Sequence, residues 1–95
     1  PYSNYGNVTI LAPGGDTQQR DSKNRPMGVW SAIRPTSKNR AGLVPYQGTS
    51  MAAPHTAGAI ALAMAKHPDL RGNPQLVTAA LRATATPLEA GACSV

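Results

Sequence analysis

The stretch that decides the reading of this chain is Gly48-Thr49-Ser50-Met51-Ala52-Ala53-Pro54-His55. A glycine-led turn runs into a serine, and the serine opens an Ala-rich apolar segment. A loop that passes through a serine into a helix lifts the hydroxyl clear of the backbone. The first amides of a helix lack intrahelical acceptors and carry partial positive charge, so they can hold an oxygen on which negative charge develops. Ser50 is also placed to act as a plain helix N-cap, a role many serines fill.

Downstream, the apolar segment continues through Ala57, Ala59, Ile60, Ala61, Leu62, Ala63, Met64 and Ala65, and Pro68 stops it just beyond Lys66. The pattern predicts a helix over residues 50–66 with no polar face, and a helix apolar all round is a buried one. Pro54 lacks the N–H that would bond the Ser50 carbonyl, so a distorted first turn is expected. Asn73-Pro74 then supplies a cap and a proline at the first helical position. Leu76, Val77, Ala80 and Leu81 form one apolar stripe with Gln75, Thr78 and Arg82 facing away, which predicts a surface helix over residues 74–84.

Upstream, Val8-Thr9-Ile10-Leu11-Ala12 is a short apolar run closed by Pro13-Gly14-Gly15. It reads as a strand covered on both faces, as in a parallel sheet. No crossover connection fits before it, so its strand partners are expected elsewhere. Asp16–Gly28 is polar and aperiodic and reads as irregular chain. Residues 28–33 and 43–47 read as two short strands that pair as a ribbon across the Arg34–Gly42 loop, where Pro35, Ser37 and Asn39 favour turns. These elements do not enclose one another. The apolar helix would leave surface worth roughly 1.5–3 kcal/mol per large side chain in water, so protein outside the chain is expected to cover it.

Composition sets further bounds. Ninety-five residues suffice for one small domain, but aromatics make up 4% and phenylalanine is absent, which leaves few large core residues. Nine glycines and nine prolines imply a large share of loop. No run of 18 apolar residues exists to span a bilayer. With no initiating methionine, the chain reads as a piece of something longer. The net charge of +5 is concentrated in residues 17–40, where Arg20, Lys23, Arg25, Arg34, Lys38 and Arg40 stand against Asp21 alone. Such a segment is either an anionic-surface or nucleic-acid patch or a solvated insertion, and the solvated insertion is favoured because Trp30 is the only stacking ring nearby. Cys93 is either a buried thiol or half of a disulfide whose partner lies outside the chain.

The octet around Ser50 resembles, without mismatch, the serine motif of the subtilisin-like serine proteases. Tyr2-Ser3-Asn4-Tyr5-Gly6 with Val8–Gly14, Tyr46-Gln47, Lys66-His67-Pro68 and the helix opened by Asn73-Pro74 extend the resemblance over nearly the whole chain. It implies an α/β, three-layer subtilisin-like fold with a parallel sheet, residues 1–95 being only the C-terminal portion of a peptidase catalytic domain. Residues 17–45 would then be an extended basic loop region, similar to the longer loop of secreted Gram-negative relatives, and 50–66 a buried serine helix. Cys93 fits that branch, in which a cysteine near the C-terminus pairs with one just downstream. The resemblance further implies peptide-bond hydrolysis through a Ser-His-Asp triad with Ser50 as nucleophile and its N–H as an oxyanion donor. Thr49 would donate to the same oxyanion and Tyr46 would line the leaving-group side; by themselves they read as a turn residue and a packed aromatic. The triad histidine and aspartate, and the oxyanion-hole asparagine, would lie before residue 1. A secreted, extracellular enzyme acting on protein or peptide substrates follows, with no catalytic cofactor and room for a structural calcium ion.

His55 is not read as the base for Ser50. Five residues along a helix turn a side chain by about 500°, which is about 140° off the serine's direction. It reads as a packed, hydrogen-bonded helix residue, and His67 as part of a helix end. Asp16 is not read as the triad acid, and with no second carboxylate near it in sequence it is a poor calcium ligand. Two alternatives remain beside the endopeptidase: a catalytically silent piece that binds the remainder of the catalytic domain, and, less favoured, a basic nucleic-acid-binding module.

Overall fold

The computed structural model describes residues 6–88. They mix strand and helix in the order β1 (Asp16–Arg20), β2 (Pro26–Met27), β3 (Val29–Ala32), β4 (Leu43–Tyr46), α1 (Thr49–Lys66), a 3₁₀ turn (Pro68–Leu70) and α2 (Pro74–Thr84). The chain forms two compact units, one of residues 12–56 and one that joins the segment up to Leu11 with the chain from Ala57 onward. Helix α1 starts in the first and continues in the second.

The first unit is built from two antiparallel hairpins, β1–β2 and β3–β4. The β3–β4 ribbon is the one expected from its Gly- and Pro-bounded apolar runs, with Val29 opposite Tyr46 and Ala32 opposite Leu43. Asn39 organises its connecting loop. It accepts the Gly42 N–H on Oδ1 at 3.1 Å and donates from Nδ2 to the Leu43 carbonyl at 2.7 Å, while its own N–H reaches Thr36 Oγ1 at 3.0 Å. These local bonds are the physical content of an asparagine turn signal.

The β1–β2 hairpin is a correction, because Asp16–Gly28 was expected to be irregular. Side-chain chemistry, not apolar alternation, closes it. Asp21 Oδ1 accepts the Lys23 and Arg25 N–H groups, each at 2.9 Å, and Oδ2 takes the Arg25 Nε–H at 2.8 Å. Arg25 Nη2 lies 2.8 Å from the same oxygen. Asn24 adopts a φ of 59°, which asparagine tolerates in a tight turn. Arg20 is also engaged, donating to the Asn24 carbonyl at 3.1 Å. Two of the basic side chains therefore serve the hairpin itself. The pairing stays short and slips in register between Asp16↔Met27 and Arg20↔Pro26.

In the second unit, α2 spans the expected residues and is capped as expected, Asn73 Oδ1 accepting the Leu76 N–H at 3.1 Å. His67 ends α1 and leads into the 3₁₀ turn, its carbonyl accepting the Leu70 N–H at 3.0 Å. Leu70 and Val77 are the buried hydrophobic residues among those described. Helix α1 forms without a break through Pro54, yet none of its residues is buried and Leu62 is 75% exposed. Val8–Ala12, expected as a strand, is irregular, and Val8 and Leu11 stay exposed. A strand needs a neighbour to take up its N–H and C=O groups, and no described segment pairs with it. Both described sheets are antiparallel, so no parallel pair is present among the described residues.

Two outcomes test this arrangement. The Asp21 carboxyl is held below the usual aspartate range, first by the Arg25 backbone N–H and then by the Arg25 side chain. A lowered folded-state pKa adds stability above the ordinary range and loses it as pH falls through the folded value. Carboxyl NMR should place the Asp21 midpoint below about 3.9; a midpoint at or above that contradicts the turn. Gln47 Oε1 accepts both the Thr17 N–H (2.6 Å) and its hydroxyl (2.9 Å), tying β1 to the segment that follows β4. Gln47→Leu leaves that part-buried amide unpaired at a cost of about 1–3 kcal/mol, and the Thr17 amide should exchange with solvent faster. Unchanged exchange would remove Gln47 as an anchor.

Candidate active site

The site is assembled around Gly48. Its φ of 135° lies in the region that favours glycine, although a Cβ there would meet nothing within 4 Å. Backbone conformation, not crowding, sets the requirement. The Gly48 N–H donates to the Gly14 carbonyl at 2.8 Å, which ties the Pro13-Gly14-Gly15 loop to the start of α1. The Gly48 carbonyl accepts the Met51 and Ala52 N–H groups at 3.0 and 3.3 Å and so opens the helix. Gly15, at φ 78°, lies so close to the ribbon that a Cβ would come within 2.8 Å of Val29 N and 2.9 Å of the Tyr46 carbonyl oxygen. The apolar Pro-Gly-Gly closure thus packs against the ribbon that leads into the serine turn.

This geometry leaves Thr49 and Ser50 exposed as the first two residues of α1. No acceptor among the described residues takes the N–H of either. Ser50 lines an open groove of about 320 Å³ together with Trp30, Tyr46, Met51, Pro54 and His55. The surface of the groove is mainly apolar, with Ser31, Ser50 and His55 as its polar residues beside the tyrosine. Of the residues singled out from the sequence, Ser50 and Tyr46 come together on this groove, and Thr49 is not among its lining residues.

His55 also borders the groove, but its ring is engaged elsewhere. Nδ1 lies 2.8 Å from the Met51 carbonyl oxygen. A carbonyl can only accept, so Nδ1 carries the hydrogen and, in the neutral ring, Nε2 is left as the acceptor. Among the described residues no hydrogen bond joins His55 to Ser50, and no carboxylate lines the groove. Asp16 instead accepts the Gln18 N–H at 3.0 Å, and Asp21 is bound to Arg25. A serine hydroxyl at a helix start is present, and among the described residues no base is hydrogen-bonded to it.

Two residues with positions that matter here were not singled out from the sequence. Gln47 drew notice only as a neighbour of the serine motif, although its side chain is the clamp on Thr17. Trp30 read as a lone ring beside a basic loop. Its place on the groove follows from the ribbon pairing, which a short apolar run does not reveal.

Among the described residues no helix is long and apolar enough to cross a membrane, and no group of three His, Cys, Asp or Glu side chains could hold a metal ion. Compared with known proteins, residues 1–94 match the family model described as the Subtilase family. No curated protein and no solved structure matches the chain. The match spans the glycine-led turn, the exposed serine and both helices, and with it the chain belongs to the subtilase family of serine proteases.

Proposed function

We propose that the chain is the C-terminal portion of the catalytic domain of a secreted subtilisin-like serine endopeptidase, with Ser50 as its nucleophile. The observation that carries this reading is the exposed Ser50 at the first turn of α1, lining an open apolar groove, with no acceptor for its own N–H among the described residues. In this reading the Ser50 Oγ attacks the peptide carbonyl while a histidine, oriented by an aspartate, takes the hydroxyl proton. Both come from sequence preceding residue 1. The carbonyl oxygen becomes an oxyanion held by the Ser50 N–H, with Thr49 as a second donor and the helix start adding positive potential. Collapse of the tetrahedral species expels the amine, which receives the proton from the histidine, and leaves an acyl group on Oγ. Water then hydrolyses the ester with the same histidine as base, and Ser50 regains its proton.

The same preceding sequence would complete the fold. Val8–Ala12 would enter a parallel sheet, and the uncovered face of α1 would pack against it as the middle of three layers. By itself the chain would then be silent and act as a partner for the rest of the domain, a reading supported by the absence of an oriented base among the described residues. Calcium finds no fitting cluster among the described residues, and no step of the reaction uses it.

In the complete catalytic domain, Ser50→Ala should lower kcat/KM for peptide hydrolysis by about 10⁴-fold or more. Retention of most of the activity would exclude Ser50 as the nucleophile.

A further inference from the structure

The turn that presents Ser50 is held by hydrogen bonds and not by crowding. Gly48 keeps a φ of 135°, yet a Cβ there would meet nothing within 4 Å. Two cross-links fix it instead. One is the Gly48 N–H bond to the Gly14 carbonyl at 2.8 Å. The other comes from the preceding residue, because Gln47 Oε1 accepts the Thr17 N–H at 2.6 Å and the Thr17 hydroxyl at 2.9 Å. Both join residues 14–17 to residues 47–48, and the second uses one side-chain oxygen for two donors. Thr17 is itself held in place. It is the one residue of β1 that is not exposed. Its methyl group lies against position 28, where a Cβ would come within 2.7 Å of Thr17 Cγ2. Gln47 directly follows Tyr46, the last residue of β4, which is paired with Val29. The ordered ribbon therefore ends at Gln47, and the cross-links act on the three-residue step from there to Ser50. Gln47 is not among the residues that line the Ser50 groove.

From this arrangement we infer that Gln47 is a positioning residue for the nucleophile. Through its paired bonds to Thr17 it fixes the turn that places the Ser50 hydroxyl, and so sets the rate of acylation without touching substrate. The inference rests on the protease reading of Ser50, and it gives a role in the reaction to a side chain outside the groove. Without the Gln47 bonds, the Gly14–Gly48 bond is the one cross-link left between the two segments among the described residues. Glycine at position 48 then offers little resistance to rotation. Attack on a carbonyl needs the reacting atoms about 3–3.5 Å apart and aligned, and a misplacement of about 1 Å can lower the rate by about 10²-fold. A loosened turn that keeps one tether loses less, about tenfold. Substrate binding stays nearly constant, because the groove keeps all of its lining residues.

The test uses the complete catalytic domain, with kcat expressed per active site titrated by a fluorophosphonate, so that any unfolded fraction drops out. Gln47→Leu should lower kcat about tenfold and leave KM within about twofold. Gln47→Glu, whose carboxylate can accept both Thr17 donors, should stay within about threefold of wild type. Thr17→Val removes the hydroxyl donor and keeps the N–H, so it should lower kcat by a smaller factor, while Thr17→Ser should match wild type. Because the two residues act as one unit, Gln47→Leu combined with Thr17→Val should be no slower than Gln47→Leu alone, within about twofold. If Gln47→Leu does not fold, Thr17→Val against Thr17→Ser decides by the same measure: a slower valine variant supports the role and equal rates overturn it. An unchanged kcat per titrated site in Gln47→Leu, even with a lower Tm, makes the clamp purely structural and overturns the inference. A rise in KM at constant kcat overturns it too, as does a double variant in which the separate losses multiply. Hydrolysis that survives Ser50→Ala would instead overturn the protease reading, whatever the Gln47 variants do.

Discussion

The hydrogen bond from the Gly48 N–H to the Gly14 carbonyl is the contact on which the local architecture turns. It joins two glycine-containing loops that are 34 positions apart in sequence and holds the chain at a φ that glycine favours, just before α1 begins. With Gly48 fixed, its carbonyl starts the helix, and no acceptor among the described residues takes the N–H groups of the next two residues. The Gln47 clamp on Thr17 reinforces the same junction one residue earlier. A serine at the second helical position is thereby raised beside a groove instead of being folded into a turn. The conformational cost of ordering this segment is met by several short bonds converging on one place, in a chain that has few large side chains to bury.

Helix α1 presents the opposite situation. Its sequence is apolar all round, yet none of its residues is buried and Leu62 is largely in water. Exposed apolar surface on this scale is a demand for a partner. The irregular Val8–Ala12 segment makes the same demand in hydrogen bonds, since an apolar, β-branched run without a neighbouring strand cannot form its ladder. The proposed remainder of the catalytic domain answers both at once: a sheet would pair Val8–Ala12 and cover the helix. The absence of an oriented base at Ser50 among the described residues is the chemical counterpart of these structural gaps.

What could be read in the sequence divides along physical lines. Elements encoded by local signals were legible: the Asn73-Pro74 cap, the apolar helix stopped at Pro68, and the ribbon of residues 28–33 and 43–47. Ser50 was legible as a candidate because small residues, a proline and a histidine fall at fixed offsets around it. The β1–β2 hairpin was not legible, because its closure depends on the Asp21 carboxylate gathering the Lys23 and Arg25 amides and no apolar alternation announces it. The strand expected at Val8–Ala12 depends on partners that local pattern cannot supply. Trp30's position on the Ser50 groove arises from tertiary pairing. The rotation argument for His55 anticipated its lack of a bond to Ser50, while its contact with Met51 is an i to i−4 bond that helical spacing permits.

The central claim is that Ser50 is a competent nucleophile whose base lies outside this chain. The most direct measurement is the pH dependence of Ser50 modification by a small fluorophosphonate, for the chain alone and within the complete catalytic domain. The account predicts slow modification of the chain alone, rising with hydroxide and without an inflection near pH 6–7. It predicts rapid modification of the complete domain, with an inflection in the imidazole range of about 6.5. Equally fast modification of the chain alone, with that same inflection, would contradict it and would make His55 the base.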